Sequence, residues 1–177
     1  TNSTTRVSKV ITAFEDYSRS SYSKTEKRLA NIETTLEKAL SLIAPSMPPG
    51  IQIIKRYSSV STLKCYPQAL EKVWYHLLQN AIEAIGIHGI VTINLYQQQS
   101  YLMVDIIDTG ESISQELLNK LCDPFFTTKS AEGKIGLGLA IAKQIIEQHD
   151  GSIAVNLLSG KMTLPGNTKF TISLPLG

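Results

Sequence analysis

The chain has 177 residues, of which 42% are hydrophobic and 18% are charged, and its formal net charge is +2. This length and composition fit one globular domain with a sizeable core and exclude a disordered or fibrous protein. The nearly balanced charge does not indicate a nucleic-acid-binding surface. No apolar run approaches the roughly 20 residues that a membrane-spanning helix needs, so we expect this fragment to be cytoplasmic and to make no membrane contact.

The first 28 residues are predicted to stand apart from the remainder of the chain. Apolar residues of this segment recur at helical spacing and are Val7, Val10, Ile11, Phe14 and Tyr17. Such a face belongs either to a helix that folds onto its own domain or to one that packs against partner helices, and the pattern leaves both open. The polar stretch 18–28 is typical of a linker, so we place the second domain at residues 29–177.

The second domain begins with a short helix and a strand. Residues 36–43 carry apolar side chains at helical spacing, and the proline-rich stretch 45–50 ends this helix. Residues 51–57 are predicted to form a strand. Farther along the chain, residues 90–96 and 101–107 predict an antiparallel pair of strands joined by a polar turn.

The helix predicted from Pro67 to Ile85 has the best-defined apolar stripe in the chain. Beside that stripe, His76, Asn80 and Glu83 stand at positions i, i+4 and i+7, so their side chains can project toward one site. The amide oxygen of Asn80 suits a hard cation such as Mg²⁺, which keeps several waters and needs few protein ligands. The alternative is a polar flank that water solvates.

Two glycine-containing loops lie farther along the chain. Asp108 ends the second strand of the pair and meets Gly110, where the backbone can approach a flat ligand such as a base. Gly136 and Gly138 precede an apolar helix, residues 139–148, so unhindered N–H groups and the positive helix end face one spot that suits phosphate. The alternatives are a turn-forming Asp and a loop that the glycines merely shape.

Four segments in this order resemble the ATP-binding domain of the sensor histidine kinases. Their superfamily also holds the type II topoisomerases, a heat-shock chaperone family and the MutL mismatch-repair ATPases. The segments are the N box around Asn80, the G1 box Asp108-Thr-Gly, the F box 124–129 and the G2 box 136–139. The resemblance covers roughly residues 51–176, and the sequence Asn-Ala-Ile-Glu-Ala that begins at Asn80 is similar to the nitrogen-regulation kinases.

The resemblance implies an α+β fold of the Bergerat type. In this two-layer sandwich, helices cover one face of a mixed sheet of about five strands. The chain agrees with this architecture, since two further strands are predicted at 152–158 and 168–174 after the last helix. The segment 1–28 is then similar to the end of a dimerisation helix with its linker, which forms an N-terminal helical appendage.

For the site, the resemblance implies that Asn80 holds Mg²⁺ and that Asp108 accepts a hydrogen bond from the exocyclic amine of adenine, where guanine presents a carbonyl. His76 is given a catalytic role in positioning phosphate, with a surface hydrogen bond as the alternative. The residues expected to bind the nucleotide are Asn80, Glu83, Asp108, Gly110, Ile113, Phe126, Lys129, Gly136, Leu137, Gly138, Leu139 and Thr168.

Several of these roles have ordinary structural alternatives. Phe126 is expected to anchor a lid over ATP, residues 127–135, and Lys129 to reach phosphate, although paired aromatics usually serve the core and a lone Lys is usually solvated. Thr168 is expected to approach adenine through water, or has only the usual preference of Thr for strands. Glu83 repels phosphate unless Mg²⁺ or a Lys intervenes.

The chain departs from the family pattern at three points. Ser112 replaces the second glycine of the G1 box and Lys134 the first glycine of the G2 box, and each change either reshapes the pocket or is silent. The three histidines, His76, His88 and His149, all lie in the second domain, so no phosphoacceptor H box is present. This fragment is therefore not expected to phosphorylate itself.

The function implied by the resemblance is that of a protein-histidine kinase. The domain would bind Mg-ATP and donate the γ-phosphate to a histidine on a dimerisation helix of the same or a partner kinase. The phosphate would pass to the receiver domain of a response regulator, and the full-length protein is expected to be a homodimer. Three alternatives stay open: a nucleotide-binding scaffold without transfer, an ATPase with water as acceptor, and a serine kinase of the anti-sigma type.

Overall fold

The computed structural model describes residues 26–60, 62–111, 138–158 and 167–177. The predicted N-terminal helix and the predicted lid, residues 127–135, lie outside these residues. None of the helices in the described part of the chain is both long and apolar enough to cross a membrane.

Three α-helices, seven strands and one turn of 3-10 helix make up the described residues. The helices are α1 (Ile32–Ile43), α2 (Pro67–Ile85) and α3 (Gly138–Gln148), and the 3-10 turn is Ala44–Ser46. The strands are β1 (Arg28–Ala30), β2 (Gly50–Tyr57), β3 (Leu63–Cys65), β4 (His88–Gln98), β5 (Tyr101–Asp108), β6 (Ser152–Leu157) and β7 (Thr168–Pro175).

The ends of the first two helices follow from single residues. α1 begins earlier than its apolar pattern predicts because Asn31 caps it, its Oδ1 accepting a hydrogen bond from the N–H of Glu33 at 2.9 Å. Pro67 opens α2, where the missing N–H costs nothing. Gly86 ends α2 with a φ of 86°, a conformation that favours glycine.

The strands form one mixed sheet of five and one small sheet of two. The order in the large sheet is β2-β4-β5-β7-β6, with β2 and β4 parallel and the other neighbours antiparallel. The small sheet pairs β1 with β3. It was not predicted, because strands of three residues are too short to show an alternation of apolar and polar side chains. The mixed five-stranded sheet with its helices confirms the predicted α+β sandwich.

The core lies between the large sheet and the helices. Side chains alternate along β5, so Leu102 and Ile106 point to the same face, where they are fully buried. Trp74 of α2 joins the helices to each other, since its indole N–H donates to Oγ1 of Thr35 at 2.9 Å. Asp108 is the next residue in the inward series of β5, and a carboxylate therefore stands at the border between sheet and helices.

A buried histidine joins the start of α2 to the end of α3. His149 is 4% exposed, and its Nε2 accepts a hydrogen bond from the N–H of Tyr66 at 3.0 Å. Its Nδ1 lies 2.7 Å from the carbonyl oxygen of Ile145. The neutral tautomer with its proton on Nδ1 satisfies both contacts. Burial lowers the pKa of His149, which keeps this neutral form.

Replacing His149 by Gln is expected to reduce the loss of stability on acidification. Because the pKa of His149 is lowered in the fold, its contribution is present above the unfolded pKa of about 6.5 and is lost as the pH falls. The variant should also lose about 1–3 kcal/mol at pH 7.5 if the N–H of Tyr66 is left without an acceptor. Urea unfolding at pH 7.5 and 5.0 measures both effects.

The exposed His88, changed to Gln, is the control for that experiment, since it removes an imidazole without touching Tyr66. The His88 variant should keep the hydrogen bond from Tyr66 to His149 and should therefore not reproduce the change caused by His149→Gln. Equal losses of stability on acidification in wild type and in His149→Gln would show that His149 does not set this dependence.

Candidate functional site

The site is built around the carboxylate of Asp108, which is 2% exposed. Burial raises its pKa to about 6, and a hydrogen bond from the N–H of Gly110 to Oδ1, 2.9 Å long, opposes that rise. A carboxylate this poorly solvated is costly unless a ligand or a further donor meets it. Perturbed acids of this kind are typical of functional sites.

Residues 108–110, which we call the Asp108 loop, pack closely on the last turns of α2. A Cβ atom added to Gly110 would lie 2.4 Å from the backbone carbonyl carbon of Ala84 and 2.7 Å from the N of Ile85. The N–H of Glu111 donates to the carbonyl of Ala84 at 3.2 Å. Gly110 is therefore required here for the close approach of two backbones, and the predicted approach of a flat ligand to Gly110 stays a prediction.

Two residues that sequence reasoning missed hold this loop. Thr109 exchanges hydrogen bonds with Ile90 of β4: its Oγ1 accepts from the N–H at 3.0 Å, and its own N–H donates to the carbonyl at 3.2 Å. Asn167 donates from its side-chain amide to the carbonyls of Thr109 and Gly110. Their positions in the sequence could have indicated this role, since Thr109 lies inside the G1 box and Asn167 directly precedes Thr168.

Thr168 stands beside Asp108 on the neighbouring strand. The two residues are register partners of β5 and β7, and Thr168 is 2% exposed. Its Oγ1 is buried and has no hydrogen-bond partner in the part of the chain that the structure describes. A buried hydroxyl of this kind calls for a water or a ligand, and the approach of Thr168 to adenine stays a prediction.

The polar residues of α2 form the other side of the site. His76, Asn80 and Glu83 are all half-buried and lie along one side of the helix. A Cβ added to Gly138, the first residue of α3, would lie 3.2 Å from Nδ1 of His76. The structure thus brings His76 of the N box close to Gly138 of the G2 box, while Leu139 is buried in the core.

The remaining predicted positions lie outside the described residues and stay predictions. They are Ile113, Phe126, Lys129, Gly136 and Leu137, together with the two departures Ser112 and Lys134. Among the described residues, no group of three or more His, Cys, Asp or Glu side chains is placed to hold a metal ion. The neutral amide oxygen of Asn80 would suit Mg²⁺ as a single protein ligand, since this ion usually keeps several waters.

Comparison with known sequences gives a family match and many relatives. Residues 65–177 match the family described as histidine kinase-, DNA gyrase B- and HSP90-like ATPase. The sensor histidine kinase ZraS of Escherichia coli O157:H7 is 37% identical over 149 residues, which cover 82% of this chain and 31% of ZraS. The sensory histidine kinase/phosphatase NtrB of Proteus hauseri is 30% identical over 163 residues, which cover 85% of this chain and 44% of NtrB. The chain therefore spans less than half the length of these two relatives.

Comparison with solved structures finds the same fold. The nucleotide-free catalytic domain of the histidine kinase ThkA matches with a TM-score of 0.74 at 26% identity, over 86% of this chain and 97% of that domain. ThkA in complex with the response regulator protein TrrA matches with a TM-score of 0.77 at 24% identity, over 98% of this chain and 49% of that one.

Proposed function

Because the chain belongs to the family of histidine kinase-, DNA gyrase B- and HSP90-like ATPases, we propose that it is the catalytic and ATP-binding domain of a histidine kinase. The relative ZraS, which matches 82% of its length, is a sensor histidine kinase. The observation that carries the proposal is the buried carboxylate of Asp108 beside the hydroxyl of Thr168, which has no partner among the described residues. These two groups lie on adjacent strands, and we propose that together they recognise the polar edge of a base.

Asp108 is the residue proposed to select adenine. The N–H of Gly110 binds Oδ1, and Oδ2 takes no part in that bond and is proposed to accept the exocyclic amine. With its pKa at about 6, the carboxylate is mostly ionised at neutral pH and can only accept. Guanine presents a carbonyl oxygen at the same position. This oxygen and the carboxylate are both acceptors, so no hydrogen bond would form between them. The Oγ1 of Thr168 is proposed to hold a water against the base.

The phosphate side of the site is proposed to lie between α2 and the start of α3. Gly138 begins α3 close to His76, so N–H groups at the positive end of that helix can meet phosphate. Asn80 is the proposed protein ligand of Mg²⁺, an ion that neutralises phosphate charge in phosphoryl transfer. Glu83 lies one turn beyond Asn80. Because its carboxylate repels phosphate, Glu83 is proposed to make no direct contact with it.

The reaction proposed is the transfer of the γ-phosphate of ATP to an imidazole nitrogen. The lone pair of the neutral imidazole forms the phosphorus–nitrogen bond, the bond between the γ-phosphorus and the β–γ bridging oxygen breaks, ADP leaves, and the phosphorylated ring releases its N–H proton to water. This domain would contribute positioning and charge neutralisation, with no covalent chemistry of its own. His76, which lies against Gly138, is proposed to position the transferred phosphate.

The partners follow from the same proposal. The acceptor histidine would belong to a dimerisation helix of the same or a partner kinase in a homodimer, and the phosphate would then pass to the receiver domain of a response regulator. ThkA, whose fold this chain shares, is known in complex with such a regulator protein. A cytoplasmic location, where ATP is available, completes the proposal.

Phosphotransfer to a supplied helix tests the proposed reaction. We expect the protein, mixed with γ-labelled ATP, Mg²⁺ and the dimerisation helices of a histidine kinase of this family, to label those helices. The label should be acid-labile, as phosphohistidine is, and it should vanish when the acceptor histidine is changed to Gln. Label on a serine, or phosphate released to water at the same rate without the helices, would contradict the proposal.

Replacing Gly138 by Ala is expected to lower the affinity for ATP about 2- to 10-fold by displacing His76. The new methyl group would lie 3.2 Å from Nδ1 of His76, so the flexible ring must shift by a few tenths of an ångström. In a His76→Ala background the same substitution should have almost no effect, because the crowded atoms are gone. Calorimetric titration of the four proteins measures this coupling, and equal effects of Gly138→Ala in both backgrounds would show that the contact is unimportant.

A further inference from the structure

We propose that Asn167 is the residue that positions the Asp108 loop for the selection of adenine. The inference rests on the proposed function, since it concerns how Asp108 is presented to the base. Asn167 directly precedes Thr168 and is half-buried. It acts through Asp108 and Gly110 and is not placed to react with the substrate, so it is a positioning residue.

The side-chain amide of Asn167 joins two successive carbonyls of the Asp108 loop. Its Nδ2 lies 3.1 Å from the carbonyl oxygen of Thr109 and 2.7 Å from that of Gly110. Both partners can only accept, so the amide nitrogen, with its two hydrogens, is the side-chain atom that must face them. One planar group therefore fixes the orientation of two peptide units.

The backbone of Asn167 completes the attachment. Its N–H donates to the carbonyl of Asp108 at 2.7 Å, and its own carbonyl accepts from the N–H of Leu158 at 2.9 Å. Asn167 thus binds all three residues of the Asp108 loop, which lies more than 50 residues away in the sequence, and ties the loop to the end of the β6–β7 pair. Loops held by side-chain contacts of this kind lose little freedom when a ligand binds.

The contact to Thr109 controls the hydrogen bond on Asp108. The carbonyl of Thr109 and the N–H of Gly110 belong to one rigid peptide plane and point in opposite directions. Asn167 binds the carbonyl side of that plane, and Oδ1 of Asp108 accepts from its N–H side at 2.9 Å. A rotation of this peptide would break both bonds together, remove the donor from Oδ1 and change which oxygen of Asp108 meets the base.

Changing Asn167 to Asp or to Ala removes this control by different routes. Asp keeps the size of the side chain but turns a carboxylate toward two carbonyls, whereas Ala simply deletes the donor. The matched control is Asn156→Asp, the same chemical change at an exposed position of β6. All four proteins are titrated with Mg-ATP and with Mg-purine riboside triphosphate, which lacks only the exocyclic amine.

The ratio of the two dissociation constants is the readout. The wild type and Asn156→Asp should prefer ATP by about 10-fold or more, since the amine bonds a charged acceptor. Both Asn167 variants should lose most of this preference. An unchanged preference in both variants, even with weaker binding or lower stability, would overturn the positioning role and leave Asn167 as a structural residue only.

A ligand-free measurement separates this inference from the proposed function. Hydrogen exchange at the N–H of Gly110 should be about 10-fold faster or more in Asn167→Ala than in the wild type, and unchanged in Asn156→Asp. Unchanged exchange at Gly110 in Asn167→Ala would overturn the inference without any nucleotide present. Failure of the wild type to bind either nucleotide would instead overturn the proposed function.

Discussion

Replacing Asp108 by Asn is expected to make the protein more stable and to disable nucleotide binding. Burial raises the pKa of Asp108 from 3.8 to about 6. Ionisation of this carboxyl therefore lowers the stability of the folded state. Asn has the same shape, carries no charge and can still accept the N–H of Gly110 through its Oδ1. Asp108 therefore lowers the stability of the fold, and such a cost is common at active sites.

The pH dependence of this gain in stability has a definite sign. A folded pKa above the unfolded value means that the wild type is relieved of the penalty below about pH 4 and bears it in full above about pH 6. We expect the substitution Asp108→Asn to raise the free energy of unfolding by about 1–3 kcal/mol at pH 8, and by about half as much at pH 5. Denaturant unfolding at the two pH values measures the difference.

The same variant should bind ATP about 30- to 150-fold more weakly, a loss of about 2–3 kcal/mol. Because Gly110 requires an acceptor, the amide oxygen of the new side chain faces that N–H and its NH₂ group faces the base. The NH₂ group of the new Asn then faces the exocyclic amine of adenine, and two donors cannot form a hydrogen bond. The same NH₂ group can donate to the carbonyl of guanine. The preference for ATP over GTP should therefore shrink as well.

Asp150→Asn is the matched control for the binding effect, since Asp150 is exposed and its φ of 57° is one that Asn tolerates. The control should bind ATP as the wild type does. A variant Asp108→Asn that is less stable than the wild type at pH 8, or that binds ATP with unchanged affinity, would contradict the role given to Asp108.

Replacing Gly110 by Ala is expected to damage both the fold and the site. The added Cβ would stand 2.4 Å from the carbonyl carbon and 2.6 Å from the oxygen of Ala84, and these are backbone atoms that no rotamer change can move. The Asp108 loop must therefore retreat from α2, which costs about 2–3 kcal/mol or more of stability. The retreat also carries the N–H of Gly110 away from Asp108, so ATP binding should fall by at least about 10-fold.

The exposed neighbour Glu111, changed to Ala, is the control for Gly110. Its stability should stay within about 0.5 kcal/mol of the wild type, as is usual for surface positions. Thermal unfolding and calorimetry are both needed, because a variant that is destabilised but binds ATP normally once folded would show that the close approach serves the fold alone.

Much of the architecture could be predicted from pattern. α2 was predicted with its observed limits, Pro67 and Ile85, because nineteen residues at helical spacing between a proline and a glycine leave little freedom. Strands β4 and β5 were predicted within two residues, since alternation and a polar turn mark a hairpin. The resemblance to the histidine kinases is confirmed by the family match over residues 65–177.

The parts that could not be predicted depend on contacts between distant residues. β1 and β3 have three residues each and are strands only because they pair with each other. β2 and β4 pair in parallel, with α2 lying between them in the sequence. Neither strand carries a local sequence pattern that predicts this pairing. Two features of the site join positions that are more than 50 residues apart in the sequence. One is the proximity of His76 to Gly138, and the other is the set of hydrogen bonds between Asn167 and the Asp108 loop.

The raised pKa of Asp108 belongs to the same class of property. The sequence places an acid before Thr-Gly, which by itself predicts a turn as readily as a binding site. Only the fold shows that this carboxyl is 2% exposed and stands beside a buried hydroxyl without a partner among the described residues. Burial of a strand end is a tertiary property. It makes Asp108 a candidate for binding in addition to the turn that its Oδ1 forms by accepting from the N–H of Gly110.

Calorimetric titration of the wild-type protein with Mg-ATP and with Mg-GTP tests the central claim most directly. We expect ATP to bind and GTP to bind at least about 10-fold more weakly, because Asp108 is proposed to offer an acceptor to the edge of the base. Equal affinity for the two nucleotides would contradict adenine selection by Asp108, and binding of neither would contradict the assignment of this site to ATP.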